Sequence, residues 1–324
     1  MSNHWGAMTR VVLLAGGVGG AKLAHGLAMA LPPEDLSVVV NTCDDFEHLG
    51  LRISPDLDTV IYTLAGVANP ETGWGVAGDT FEALAALERL GGPAWFRLGD
   101  RDLATHLQRT ALLRAGLTLT EATARIAAAL GVRQRILPMT DGRVATRVVT
   151  AEGELDFQDY FVRRACEPRL EAVRFAGAAT ARPTAAVAAA LRRADGVVIA
   201  PSNPFVSVAP ILALAGLREL VASKPALAVS PIVGGEAIKG PAAKMLRELG
   251  LEASPVAVAQ GYRDFAGGFV MDEVDAALAG GVRDLGFRVA VAQTVMRSDA
   301  DRALLARACL GLLQELEPRR RGRE

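Results

Sequence analysis

The chain has 324 residues and a formal net charge of −1, and 51% of its residues are hydrophobic while 22% are charged. This composition is typical of an ordinary globular protein, and a near-neutral charge without a basic stripe argues against nucleic acid as a partner. The longest apolar stretches have the length of strands and are interrupted by glycine, so we expect no membrane segment, no membrane partner and a cytoplasmic location.

The first predicted unit is a strand, a glycine-rich turn and a helix. Residues 10–15 form a short apolar run typical of a strand, and the apolar spacing of residues 21–31 predicts a helix. The turn between them contains Gly16, Gly17, Gly19 and Gly20. Such a unit presents backbone N–H groups and the positive end of a helix to phosphate, so these glycines and Lys22 are candidate nucleotide contacts. The alternative is a tight turn whose glycines serve packing alone.

The glycine turn matches neither of two common nucleotide-binding motifs. A P-loop requires glycine before the lysine and Ser or Thr after it, whereas Ala21 and Leu23 flank Lys22. A dinucleotide fingerprint requires an acidic residue at the end of the second strand, where this chain has Asn41. The missing acidic residue also argues against a nicotinamide-dependent dehydrogenase.

An acidic loop follows the second strand, which ends in VVV at residues 38–40. Its four aspartates are Asp44, Asp45, Asp56 and Asp58. Carboxylates this crowded repel each other unless a cation neutralises them, and Mg²⁺ binds through one or two carboxylates plus substrate phosphate oxygens. The loop therefore predicts a metal–phosphate site. Taken singly, Asp44 and Asp56 have the alternative role of capping or solvating turns.

The middle of the chain is rich in predicted helix. Apolar spacing predicts helices over 58–66, 79–90, 101–115 and 118–130. The last of these begins with Thr118 and Glu121 at the spacing of a capping box. Residues 143–150 and 153–157 alternate like paired strands. We interpret residues 68–175 as a lobe inserted into the main sheet domain.

Strands and helices alternate again after this lobe. Helices are predicted at 185–194, 211–221, 240–249 and 299–316, and strands at 196–200, 225–230 and 287–293. This alternation predicts an α/β fold: a Rossmann-like, mainly parallel sheet with helices on both faces and a helix-rich insertion. Residues 10–67 and 176–317 would form the nucleotide-binding core, with a leader at 1–9 and a basic tail at 318–324.

Ligands of such sheets bind beyond the carboxyl ends of the strands. The unusual segments of this chain, GGVGG, NTCDD, PSNP and SPIVGG, each follow a predicted strand directly. We therefore predict that Asn41, Asn203 and Ser230 contact the nucleotide, with Asn203 at the base or ribose. Turn chemistry alone is the other explanation for each of these polar residues.

The cysteines and histidines show no pattern of their own. Cys43, Cys166 and Cys309 are far apart, without the CxxC spacing of a zinc site or the even number of a disulfide set. None of the four histidines forms an HxxxH pair. Cys43 lies in the acidic loop, but no histidine stands beside it as a partner for nucleophilic catalysis.

Eight segments resemble, in order and along nearly the whole chain, the phospholactate transferases of coenzyme F-420 biosynthesis. They are GGVGGAKLAHGL, NTCDD, GLRISPDLDTVIYTLAG, WFRLGDRDLATH, LPMTD, FQDYFV, IAPSNP and SPIVGGEAIKGPAAK. The resemblance implies transfer of a phosphorylated three-carbon acid from a guanosine diphosphate-linked donor to the ribityl hydroxyl of the deazaflavin Fo, with release of GMP. It also implies dependence on Mg²⁺ and a homodimer.

The resemblance also implies two deazaflavin contacts. One is the second aspartate of the PDLD segment, Asp58, and the other is the basic residue before LGDRD, Arg97. The alternative for this second segment is a surface ion-pair turn at a helix start, formed by Arg97, Asp100 and Arg101.

The reaction that the resemblance implies has clear chemical requirements. Displacement at a phosphorus of a diphosphate requires an alcohol held in line and a cation that neutralises the bridging and leaving oxygens. We predict that Asp45 and Asp58 hold Mg²⁺ and that Asp58 orients or deprotonates the attacking hydroxyl. The glycine turn would supply N–H groups to the phosphates, and Asn203 with the Ser230 turn would bind the guanosine portion.

A regulatory protein is the alternative function, because a related branch with the same glycine loop binds nucleotide-sugars without turnover. The PDLD, RLGDRD and FQDYFV segments favour the enzyme. The sequence leaves open whether the transferred acid is phospholactate, phosphoenolpyruvate or phosphoglycerate.

Overall fold

The computed structural model describes residues 10–317, so the predicted leader at 1–9 and the basic tail at 318–324 lie outside the described residues. The strands are β1 (Val11–Ala15), β2 (Leu36–Val40), β3 (Phe46–His48), β4 (Leu51–Ile53), β5 (Arg135–Pro138), β6 (Ala145–Thr150), β7 (Gly153–Asp156), β8 (Leu170–Ala176), β9 (Gly196–Ile199), β10 (Ala226–Val229), β11 (Ile232–Val233), β12 (Glu236–Ala237), β13 (Gly268–Met271) and β14 (Arg288–Val291).

The helices are α1 (Gly17–Ala30), α2 (Pro55–Leu64), α3 (Glu82–Arg89), α4 (Asp100–Arg114), α5 (Leu119–Ala129), α6 (Ala185–Arg193), α7 (Ala209–Leu212), α8 (Leu217–Ala222), α9 (Ala242–Glu248), α10 (Pro255–Tyr262), α11 (Ala279–Asp284) and α12 (Asp299–Gln314). No helix between residues 10 and 317 is both long enough and apolar enough to cross a bilayer.

A seven-stranded parallel sheet forms the centre of the molecule, in the order β14-β13-β10-β9-β1-β2-β5. From β1 the chain first builds outward through β2 and β5, and then returns to the other side of β1 with β9. The strand order therefore reverses between β1 and β9, and such a switch point opens a crevice at the carboxyl ends of the strands. The predicted α/β class with a mainly parallel sheet is confirmed.

Helices cover both faces of the sheet, as the continuous apolar runs in its strands require. On β1, Val12 and Leu14 belong to the hydrophobic cluster on the face covered by α6–α11, whereas Leu13 belongs to the cluster on the opposite face, with α1, α2, α5 and α12. A second, antiparallel sheet of order β7-β6-β8 lies in the predicted lobe and confirms the predicted strand pair.

Three details differ from the sequence prediction. Strand β5 lies within 68–175, yet it pairs with β2 at the edge of the main sheet, so the predicted lobe is interrupted by a core strand. Its apolar run is too short to separate from the preceding helix pattern, and β13 with α10 escaped prediction as well. The helix predicted over 211–221 is split into α7 and α8, because Gly216 adopts a left-handed φ of 80°. The rest of the division into core and lobe stays a prediction.

The glycine turn is also placed differently. Gly17, Gly19 and Gly20 belong to the first turns of α1 rather than to a loop before it. Gly16 is extended, and Gly17 has a φ of +62°, a left-handed conformation that favours glycine. The helix therefore begins four residues earlier than predicted and brings its N-terminus directly to the end of β1.

We predict opposite stability effects from the same substitution at two helical glycines. A Cβ on Gly26 of α1 would overlap the carbonyl oxygen of Arg302 on α12, whereas no atom lies within 4 Å of a Cβ on Gly311. Gly26→Ala should lower the free energy of unfolding by about 1–3 kcal/mol, because this contact is backbone and cannot rotate away. Gly311→Ala should raise it by up to about 1 kcal/mol through helix propensity.

Urea denaturation followed by circular dichroism measures both changes. A stabilising Gly26→Ala substitution would contradict the close packing of α1 on α12.

Candidate functional site

A cleft of about 600 Å³ opens at the switch point of the sheet. Of the predicted site residues, those that line it are Gly16, Gly17, Gly19, Asp58, Arg97 and Asn203. Those that do not line it are Gly20, Lys22, Asn41, Asp45 and Ser230. The segments that follow β1, β2 and β9 thus meet at one place, as the topology requires.

The glycines of α1 allow other segments to approach its N-terminus closely. A Cβ on Gly16 would lie 2.6 Å from Asp56 Oδ2 and 2.7 Å from the Cβ of Ser207, and a Cβ on Gly19 would overlap the carbonyl oxygen of Pro201. The N–H of Gly17 donates to Asp56 Oδ1 at 2.8 Å. The glycines therefore serve packing, and an aspartate already occupies part of the helix N-terminus.

Asn41 holds two carboxylates together instead of facing the cleft. Its Nδ2 donates to Asp44 Oδ2 at 3.1 Å and to Asp56 Oδ2 at 3.0 Å. Burial and then the charge of Asp56 raise the pKa of Asp44 well above its usual value, and burial raises the pKa of Asp56 to about 6. Asp44 and Asp56 both line the cleft. The neutral amide of Asn41 donates hydrogen bonds to the pair but supplies no positive charge.

Asp45 and Asp58, the predicted metal ligands, are held by arginines. Asp45 Oδ2 accepts from Ser54 Oγ at 2.7 Å and from Arg52 at 3.3 Å, and burial raises the pKa of Asp45 to about 7. Both oxygens of Asp58 accept hydrogen bonds from the guanidinium of Arg109. Their roles as metal ligands stay predictions, and Asp58 would have to share its oxygens with Arg109.

Arg109 is fully buried, with 0% exposure, behind the cleft. Burial acts to lower its pKa, but the Asp58 carboxylate outweighs this effect, so the pKa is raised and the guanidinium stays charged. His106 lies 3.6 Å from Asp58 and 3.2 Å from Asp102, and Tyr62 donates to Asp102 at 2.8 Å. These side chains form a buried polar floor that fixes Asp58.

Two buried carboxylate oxygens of the acidic loop lack a hydrogen-bond partner. Asp44 Oδ1 is buried without a hydrogen bond; the Thr146 hydroxyl lies near Asp44 but outside hydrogen-bonding geometry. Asp45 Oδ1 is likewise unpartnered. Within residues 10–317 no group of three or more His, Cys, Asp or Glu side chains could hold a metal ion. A cation here would complete its shell with phosphate oxygens and water, which is usual for Mg²⁺.

Aromatic side chains form another part of the lining: Trp74, Trp95, Phe96, Phe157 and Phe161. Trp95 and Phe96 pack edge to face with centroids 5.6 Å apart, and the Arg163 guanidinium lies 4.7 Å from the Trp95 ring. Arg97 packs over the Phe81 ring at 4.6 Å. The sequence prediction selected Arg97 but no aromatic residue, although WFR precedes the LGDRD segment.

The LGDRD segment starts a helix through reciprocal caps. The Asp100 carboxylate accepts from the N–H groups of Glu82 and Ala83 at 3.0 Å and thereby caps α3. Asp79 accepts from the N–H groups of Arg101 and Asp102 at the start of α4. Asp100 thus has a structural role, and no ion pair joins it to Arg97 or Arg101 among the described side chains.

Three residues predicted to contact the nucleotide already have hydrogen-bond partners within the protein. Lys22 Nζ donates to the carbonyl oxygen of Met296 at 2.8 Å. The Ser230 hydroxyl closes its own turn, accepting from the Ile232 N–H at 3.1 Å. Asn203 lines the cleft, but its amide oxygen accepts from the Phe205 N–H at 2.9 Å and caps the turn Pro204–Val208. Lys22 and Ser230 could therefore reach a nucleotide only by leaving these partners.

Lys239 lines the cleft and was not predicted as a site residue, although it lies in the SPIVGGEAIKGPAAK segment. Ser202 was missed as well. Its hydroxyl accepts from the Gly16 N–H at 3.2 Å and donates to the Gly16 carbonyl at 2.7 Å. It thereby ties the end of β9 to the start of α1.

We predict that Arg109→Met destabilises the fold by about 3–5 kcal/mol, because Asp58 would remain buried without a counter-charge. The double substitution Asp58→Leu with Arg109→Met should be more stable than Arg109→Met alone, since it removes the unpaired charge. Chemical denaturation measures both. If the double variant were the less stable one, the pair would not be a balanced buried ion pair.

Comparison with known proteins shows relatives along nearly the whole chain. The family model for the 2-phospho-L-lactate transferase CofD matches residues 11–283. A 2-phospho-L-lactate transferase from Methanosarcina acetivorans is 41% identical over 302 residues, which cover 93% of this chain and 98% of that protein. A phosphoenolpyruvate transferase from Streptomyces coelicolor is 42% identical over 316 residues, which cover 95% and 99%.

The fold extends to more distant proteins. The crystal structure of a UPF0052 family member from Bacillus halodurans matches with a TM-score of 0.61 and 16% identity, covering 92% of this chain and 99% of that one. At this identity the likeness concerns the fold alone. The family match and the relatives together show that this chain belongs to the CofD family of 2-phospho-L-lactate transferases.

Proposed function

We propose that this protein transfers a phosphorylated three-carbon acid from a guanosine diphosphate-linked donor to the ribityl hydroxyl of the deazaflavin Fo and releases GMP. One observation carries the proposal: a single cleft joins a helix N-terminus and an acidic pair to a set of aromatic side chains. A phosphate-rich donor suits the first part, and a flat ring system suits the second. Membership of the family supports the same reaction.

The donor phosphates lie at the N-terminus of α1 in this proposal. The N–H groups in the first turn of a helix have no partner within it, and the helix dipole attracts anions. Asp56 also sits at this N-terminus, so a phosphate can approach only with a cation between the two anions. Asp44 and Asp56 would hold Mg²⁺ there, next to the predicted ligands Asp45 and Asp58. When bound, Mg²⁺ neutralises charge on the phosphate and leaving-group oxygens.

The transfer is an in-line displacement. The ribityl oxygen of Fo forms a bond to the phosphorus that carries the acid, and the bond from this phosphorus to the bridging oxygen breaks. GMP leaves with that oxygen. Asp58, fixed by Arg109, faces the cleft, orients the hydroxyl and accepts its proton. Most of the rate enhancement comes from positioning and charge neutralisation, since phosphoryl transfer requires little covalent work from the protein.

The acceptor ring lies against the aromatic side chains. Trp95 and Phe96 are held in place by their mutual packing, so a stacking surface exists before the ligand binds. Arg97 adds a cation at the same part of the cleft. The relatives carry two different names, 2-phospho-L-lactate transferase and phosphoenolpyruvate transferase, so the transferred acid is a matter for experiment.

The test is turnover of the wild-type protein. Fo and Mg²⁺ are incubated with the guanylylated form of phospholactate, phosphoenolpyruvate or phosphoglycerate, and products are identified by mass spectrometry. We expect GMP and one adduct of Fo with a preferred acid. A protein that binds GDP but neither binds nor modifies Fo would instead be the nucleotide-sugar-binding regulator.

We predict that Asp44→Asn and Asp56→Asn each lower kcat by about two orders of magnitude, because a lost ligand charge removes a few kcal/mol of transition-state neutralisation. Calorimetric titration of Mg²⁺ in the presence of GDP should show weaker binding. Asp45→Asn and Asp58→Asn tested alongside decide whether these residues are ligands too. Near-wild-type turnover of Asp44→Asn and Asp56→Asn at saturating Mg²⁺, in proteins that circular dichroism shows to be folded, would exclude the acidic pair.

Arg97→Ala should raise the KM for Fo about tenfold or more and leave the KM for the donor unchanged, because the residue adds charge only beside the acceptor. Arg101→Ala is the matched control, since this exposed arginine starts the next helix and donates to the carbonyl of Ala77. Equal effects of the two substitutions on Fo would move the acceptor site away from Arg97.

A further inference from the structure

Lys239 is a cation in the cleft without a charged partner. It lies in the turn after β12, and its ammonium group donates a hydrogen bond to the carbonyl oxygen of Thr72. No carboxylate lies within ion-pair distance of Lys239 among residues 10–317. A carbonyl positions an ammonium group but leaves its charge unbalanced, so this group remains available to an anion.

Gly73 lies against both the Lys239 side chain and the start of α1. A Cβ on Gly73 would lie 2.9 Å from Lys239 Nζ and 2.9 Å from Val18 Cγ1, so all three groups meet at one point. Val18 stands in the first turn of α1, where N–H groups lack helical partners. The ammonium group and the helix N-terminus therefore present positive charge to the same part of the cleft.

Lys22, the sequence-predicted lysine, does not share this position. Its ammonium group donates to Met296 and does not line the cleft. Burial lowers the pKa of Lys22, and the charges of Arg302 and Lys239 lower it further. The charge of Lys239 is therefore close enough to act on Lys22, but of the two lysines only Lys239 lines the cleft.

The charge balance of the cleft indicates a role for Lys239. Among the described residues that line the cleft, Arg97 and Lys239 are the permanently charged cations, and Arg97 packs over Phe81 on the aromatic part. A guanosine diphosphate-linked donor brings at least two phosphate charges to the other part, and GMP carries one more negative charge once the bridging bond breaks. A single divalent cation between Asp56 and the phosphates does not balance this charge.

We propose that Lys239 binds the phosphate that remains with guanosine and stabilises GMP as the leaving group of the transfer. The assignment rests on the proposed function and adds a residue that the sequence analysis did not select as a site residue. The bonds are those of the displacement described above: one O–P bond forms, the bridging P–O bond breaks, and the hydroxyl proton goes to Asp58. The ammonium group of Lys239 stabilises the charge that develops on GMP.

Three substitutions separate charge from tethering. Lys239→Ala removes both the charge and the hydrogen bond to Thr72, Lys239→Gln keeps a donor for this carbonyl without the charge, and Lys239→Arg keeps the charge. Lys224→Ala is the matched control, because Lys224 Nζ also donates to a backbone carbonyl, that of Arg192, away from the cleft. Circular dichroism checks that each variant is folded.

Calorimetry with GDP and with guanosine gives a readout that needs no turnover. Lys239→Ala and Lys239→Gln should weaken GDP binding about tenfold to a hundredfold and leave guanosine binding unchanged, while Lys239→Arg restores most of the affinity. In turnover assays, Lys239→Ala and Lys239→Gln should lower kcat for GMP release and leave the KM for Fo unchanged. Lys224→Ala should match the wild type in every assay.

The outcomes are distinguishable. Unchanged GDP affinity and kcat in Lys239→Ala, with active wild-type protein, would overturn the assignment and leave the proposed function intact. Recovery by Lys239→Gln would overturn it as well, because the lysine would then only tether the Thr72 segment. A wild-type protein that neither binds GDP nor transfers an acid to Fo would overturn the proposed function and the assignment together.

Discussion

The burial of four carboxylates at the switch point of the sheet is the constraint on which the site depends. Asp44, Asp45, Asp56 and Asp58 are each at most 9% exposed. A buried carboxylate without a partner costs several kcal/mol, so each one needs a donor or a counter-charge. The fold neutralises Asp58 with Arg109 and places Arg52 against Asp45. For the other two it supplies only the neutral donors of Asn41 and Gly17.

This unequal treatment divides the four aspartates into two pairs. The arginine-paired aspartates have a counter-charge inside the protein, and their geometry is fixed by it. Asp44 and Asp56 line the cleft without an arginine partner. Burial raises their pKa values, as it does that of Asp45, so the folded protein disfavours the charge on all three carboxyl groups. A divalent cation with bound phosphates would supply the positive charge that the protein does not place beside Asp44 and Asp56. The site is thus preorganised for a ligand at the expense of its own electrostatics.

The glycines of the first motif allow neighbouring segments to approach α1 closely. Gly16 and Gly19 remove the side chains that would keep Asp56 and the Pro201 carbonyl away from α1. Packing and phosphate binding are therefore compatible explanations of the same motif: close packing at these glycines brings the helix N-terminus and Asp56 into one cleft, and the remaining N–H groups face the same space. Ser202 completes the arrangement by bonding both backbone groups of Gly16.

The sequence alone determined the features that depend on local pattern. Alternating apolar segments predicted the parallel α/β sheet, Thr118 and Glu121 predicted a capping box that is present, and the strand ends located the site. Tertiary structure decided which aspartates face a ligand, because Arg109 is 51 positions from Asp58 and no local pattern joins them. It also turned Lys22 and Ser230 away and brought Lys239 to α1 across more than two hundred residues of chain. Residue spacing fixes which side chains share an element, whereas a partner for a buried charge is chosen by the packing of distant elements.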